Sequence, residues 1–84
     1  MRHARQAALD ELEAVLGALR ALPGLRETTR GVFYRRSKAF LHFHEDPEGL
    51  FADIRGDTGA WERIDVTGPE GRSVLLSAAA RRLC

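Results

Sequence analysis

Leu9, Leu12, Leu16 and Leu19 recur at spacings of three, four and three residues, which lines them along one face of a helix. Val15 and Leu22 widen the stripe, while Arg2, Arg5, Asp10, Glu11, Glu13 and Arg20 fall off it. The pattern predicts a helix from about Arg5 to Leu22. Pro23 cannot continue it and Gly24 accepts a left-handed cap, so the helix ends there. Such a stripe faces a core; as a dimer seam, two heptads alone are marginal.

The period changes after the loop, and Gly31 to Arg55 reads as strands. If "HEDPEG" is a hairpin turn in which His44 pairs with Gly49, then Phe43 faces Leu50, Leu41 faces Ala52 and Ala39 faces Ile54. A one-residue slip would set Phe43 against Gly49 and spoil that apolar face. An earlier hairpin follows the same logic: Tyr34 pairs with Ala39, Val32 pairs with Leu41, and Arg36 and Ser37 turn the chain. The three strands then build one face from Val32, Tyr34, Ala39, Leu41, Phe43, Leu50, Ala52 and Ile54, with the first helix as its cover. Each large residue so buried stabilises the fold by roughly 1.5–3 kcal/mol.

A fourth strand is expected at Trp61–Val66, with Ile64 and Val66 on one side and Arg63 and Asp65 on the other. Thr67, Pro69 and Glu70 form a capping-box pattern that starts a last helix, running to about Arg82. Val74, Leu75, Ala78 and Ala79 give it an apolar stripe, and Arg81 and Arg82 suit its negative end. The order α-β-β-β-β-α specifies an α+β domain: a four-stranded antiparallel meander with a helix at each end.

The 84 residues make one domain, residues 1–84. A core drawn from a chain this short is thin, and a homodimer would bury more surface. The net charge of +1 gives no global attraction for nucleic acid or anionic lipid, so such a partner would need a local patch. Cys84 is the lone cysteine, which excludes an intrachain disulfide and a cysteine-rich zinc site and suits a free surface thiol. The charged start "MRHARQAALDELEA" is unlike a signal peptide, and no apolar run approaches the roughly 20 residues of a membrane span. A cytoplasmic protein with no membrane partner is therefore expected.

Candidate chemistry gathers at "FLHFHED", residues 40–46. In the expected register His42 and His44 project from the face opposite the first helix, as do Phe33, Phe40, Phe51 and Asp53. A His-x-His pair on a strand can hold zinc or a similar ion, because both imidazoles point the same way. Asp53 is the candidate third ligand, although this register sets it opposite Phe40, with Phe51 opposite His42. A metal-dependent enzyme using His42, His44 and Asp53 is one reading. The spacing holds no nucleophile elbow and no phosphate-binding glycine loop, so catalysis and a cofactor are not expected. Phe33, Phe40 and Phe51 would form a cross-strand aromatic patch, covered either by the last helix with Trp61 or by a second copy of the chain. The leading reading is a non-catalytic binding module that forms a homodimer through these rings.

A further reading is nucleic-acid binding. Arg26, Arg30, Arg35, Arg36 and Lys38 fall in "RETTRGVFYRRSK", and Arg30, Arg35, Arg36 and Lys38 are the candidate phosphate contacts at a basic hairpin tip. The stretch from residue 21 to 55, with Leu22-Pro23-Gly24 ending a helix, Lys38-Ala39-Phe40 opening a strand and Glu45-Asp46 in an acidic turn, resembles the MmcQ/YjbR-like family. That resemblance implies a double-wing, helix-then-antiparallel-sheet fold and a DNA-binding role, with no catalytic residues to carry over.

Overall fold

In the computed structural model of the chain, the leucine stripe becomes two short helices set end to end. The structure describes residues 2–83, so Cys84 lies outside the described residues. Helix α1 spans Gln6–Glu11 and α2 spans Glu13–Arg20, with Leu12 at the junction at φ −93° and ψ 7°. Leu12 still donates its N–H to the Ala8 carbonyl, and Leu16 donates to the Leu12 carbonyl, so the stripe continues through the junction. Leu9, Leu12, Leu16 and Leu19 are all buried. Gly24 follows at φ +92°, the left-handed conformation expected after Pro23.

Among the described residues the sheet has six strands rather than the four expected. They are β1 (Arg2–His3), β2 (Leu25–Thr29), β3 (Val32–Arg35), β4 (Lys38–Asp46), β5 (Gly49–Arg55) and β6 (Trp61–Asp65), and α3 (Pro69–Leu83) closes the chain. The spatial order is β2-β3-β4-β5-β6, every pair antiparallel, with β1 beside the end of β4 that β3 does not reach. The class is α+β with a helical segment at each end, as the pattern implied. The two extra strands carry little hydrophobic alternation. Strand β1 is two exposed residues long, and β2, "LRETT", is a polar edge strand.

Both hairpin registers differ from the expected ones. In the β4–β5 hairpin, Phe43 pairs with Ala52, Leu41 with Ile54 and Asp46 with Gly49, a shift of two residues. The cause is a tighter turn. The Asp46 Oδ1 accepts N–H bonds from Glu48 at 2.8 Å and Gly49 at 3.2 Å, so only Pro47 and Glu48 are left to reverse the chain. A two-residue shift preserves which side chains share a face, so Leu41, Phe43, Ala52 and Ile54 still line the core.

In the β3–β4 hairpin, Tyr34 pairs with Ala39 as expected, but the register then shifts. Phe33 pairs with Leu41 and Val32 with His42, which leaves Phe40 without a partner on β3. The extra residue is on β4, so Phe40 and Leu41 both face the core, while β3 alternates unbroken with Phe33 inward. Val32, Tyr34 and Ala39, expected on the core face, are only half-buried and lie outside the hydrophobic cluster. Phe40 is buried beside Leu41. The expected placement of Phe33, Phe40 and Phe51 together on the outer face is therefore corrected: Phe33 is 0% exposed and Phe40 4%, both in the core, and Phe51 alone remains outside, half-buried. Burying Phe33 and Phe40 in place of the half-buried Val32, Tyr34 and Ala39 offsets the pairing lost at the bulge.

All the helices cover one face. Leu12, Leu16 and Leu19 join Leu75, Ala78 and Ala79 of α3 and the inward sheet residues in a single hydrophobic cluster. The arrangement is two layers, not the three that α3 over the opposite face would have made. Val74 is exposed instead of facing inward. Thr67 does not act as the expected cap of α3, because its hydroxyl exchanges hydrogen bonds with the N–H and carbonyl of Leu50 on β5. Among the described residues, no helix is long and apolar enough to cross a membrane.

Candidate functional site

The β3–β4 turn takes Arg36 to φ +59°, a left-handed conformation that costs a non-glycine residue roughly 1–2 kcal/mol. This strained tip forms one wall of a cavity of about 370 Å³, lined among the described residues by Arg35, Arg36, Lys38, Arg55, Arg82 and a single acid, Asp57. Distant parts of the chain build it. Arg35 reaches α3 and donates from Nη1 to the Arg82 carbonyl at 2.8 Å, satisfying a carbonyl at the helix's negative end. Arg55 is held by the Ala39 carbonyl at 2.8 Å and the Gly59 carbonyl at 2.9 Å, and its guanidinium lies 4.5 Å from the centre of the Trp61 ring. Arg82 donates from Nη2 to the Glu62 carboxylate, while its Nη1 is buried with no hydrogen-bond partner among the described residues. Among the described residues, five cations, one of them Arg82 paired with Glu62, and one acid line this concave space, which favours positive potential there although the net charge of the chain is only +1.

Three of the four expected phosphate contacts, Arg35, Arg36 and Lys38, line this cavity. Arg30 does not; it is clamped against the first helical segments by Asp10 at 2.8 Å and Glu13 at 2.7 Å. Arg55 and Arg82 were not among the expected contacts. The pairing of Arg82 with the helix end was legible, but the approach of Arg35, 47 residues away, was not.

The uncovered face of the sheet carries the second group of polar residues. His42 pairs with Asp53, and His44 with Phe51. The two-residue shift thus moves Asp53 from its expected place opposite Phe40 to one directly across from His42. His42 and His44 stand with ring centres 4.6 Å apart and planes at 81°, and His42 meets Trp61 at 4.9 Å. His3 adds a more distant ring, 6.5 Å from that of His44. The Asp53 carboxylate receives Arg63 through both oxygens, at 2.8 and 3.0 Å. The Arg63 guanidinium holds the Asp53 carboxyl below the usual aspartate range despite its burial. Burial, and then the nearby His44, push the His42 pKa below the usual imidazole value. Trp61 touches both regions, because the Arg55 guanidinium lies over its ring and the His42 ring meets it edge to face.

No family model, curated protein or solved structure matches this chain.

Proposed function

We propose that this chain is a non-catalytic binding domain that holds a phosphate group in the cavity between the β3–β4 turn, Arg55 and the end of α3. The supporting observation is that, among the described residues, five cations and one acid line that cavity. Guanidinium groups suit this ligand because their planar N–H pairs match phosphate oxygens. The resemblance to the MmcQ/YjbR-like family favours nucleic-acid backbone as the source of the phosphate. A cavity of this size admits one or two phosphates, so the logarithm of affinity for duplex DNA should fall with the logarithm of salt with a slope of about −1 to −2. A homodimer through the sheet's aromatic face has less support, since Phe33 and Phe40 lie within the core.

The test is fluorescence anisotropy with labelled oligonucleotides, run beside calorimetry with inorganic phosphate and a mononucleotide. Arg36→Glu combined with Lys38→Glu should weaken binding at least tenfold, whereas Arg30→Glu should leave it unchanged. Tight oligonucleotide binding points to a backbone phosphate, and binding confined to the mononucleotide points to a small phosphorylated ligand. If wild type binds none of the three, or the double variant binds as wild type does, the proposal fails.

A further inference from the structure

We propose that His42, His44 and Asp53 form a binding site for one divalent transition metal ion of the zinc class on the outer face of the sheet. The site is independent of the basic cavity. Its three possible ligand atoms, one from each residue, all lie within 4.8 Å of one another. His42 and His44 alternate onto one side of β4, and Asp53 reaches the same place from β5, so two hydrogen-bonded strands fix the set. The Nε2 of His44 is 3.0 Å from the Asp53 Oδ2, yet it is buried without a properly aligned hydrogen bond. A nitrogen lone pair and a carboxylate oxygen at this distance repel each other unless a proton or a cation lies between them. A tetrahedral ion with ligands at 2.0–2.1 Å separates them by about 3.4 Å, between the 3.0 Å of the His44–Asp53 pair and the 4.8 Å within which all three atoms lie, so binding would open the one gap slightly. Rotation of the partly buried His42 ring would close the wider gaps.

The donor chemistry narrows the ion. Two imidazoles and one carboxylate favour zinc, cobalt, nickel or copper over magnesium and calcium, which take oxygen ligands. Three protein ligands leave one tetrahedral position open to water. Arg63 opposes binding: it occupies the Asp53 carboxylate and adds positive charge beside the ion. Its side chain is 51% exposed, so it can turn into solvent when a metal takes the carboxylate. Metal and Arg63 thus compete for one group, a relation that a purely structural ion pair would not produce.

The test uses full-length, tag-free protein titrated with Zn²⁺ by calorimetry and with Co²⁺ by absorbance, with Mg²⁺ as the comparison ion and circular dichroism to verify folding. One Zn²⁺ per chain, visible absorption typical of tetrahedral Co²⁺ and no response to Mg²⁺ are expected. His42→Gln and His44→Gln should each weaken Zn²⁺ at least tenfold, and Arg63→Ala should strengthen it. The absence of stoichiometric Zn²⁺ binding by wild type overturns the assignment, as does undiminished affinity in either folded histidine variant or weaker binding in Arg63→Ala.

Discussion

Replacing Phe33 with alanine tests the bulge on which the whole core arrangement depends. Phe33 is 0% exposed and pairs with Leu41, whereas its neighbour Val32 is half-buried and pairs with His42 on the outer side. Truncating a buried phenylalanine costs about 3–5 kcal/mol, lost transfer energy and cavity together. A chain of this length has a total stability of about 4–13 kcal/mol, so the variant loses a large share of it. At about 4–8 °C per kcal/mol for a domain of this size, the melting temperature should fall by about 12–40 °C. Val32→Ala removes two half-buried carbons and should cost about 1 kcal/mol or less. Urea unfolding followed by far-ultraviolet circular dichroism and by the fluorescence of Trp61 would measure both variants in water-extrapolated free energy. In the unbulged register Val32 would be inside and Phe33 outside, so a greater loss from Val32→Ala than from Phe33→Ala would refute the arrangement.

Two further outcomes concern the periphery. A Cβ on Gly71 would lie 1.8 Å from the Asp65 carbonyl oxygen, so Gly71→Ala must push the start of α3 away from β6. A loss of about 1–3 kcal/mol in urea unfolding is expected, against little change for Gly68→Ala, where a Cβ meets nothing within 4 Å; equal stabilities would contradict the close packing. Arg30 first and Arg20 second hold the Glu13 carboxyl below the usual glutamate range. Because the folded-state value is the lower one, the stabilisation is complete above the ordinary glutamate pKa and disappears as pH falls through the lowered value. Carboxyl NMR titration should show this depressed midpoint, and Arg30→Ala should return it towards about 4.3; a midpoint that stays put would show that Arg30 is not the cause.

The helical stripe, the sites of both hairpin turns, the β6 strand and the last helix were all legible because each rests on a local rule. Leucines at helical spacing, a Pro-Gly stop and period-two alternation depend on neighbours a few residues apart. The separation of Leu41 and Phe43 from His42 and His44 is of this kind, and it survives a register shift of two. What escaped the linear pattern depends on partners across the sheet. Phe40 could not announce itself as a bulge, because only the burial gained by Phe33 against the helices makes an unpaired residue favourable. The polar strand β2 gains its place from hydrogen bonds to β3 rather than from hydrophobic alternation. The same holds for chemistry. His-x-His and the basic tip can be read directly, but the position of Asp53 across from His42 follows from the Asp46 turn, and the arrival of Arg82 beside Arg35 follows from where α3 docks. Local spacing determines which residues share a face, while pairing register and helix docking decide which of them meet, because those choices minimise free energy over the whole core and not along any one segment.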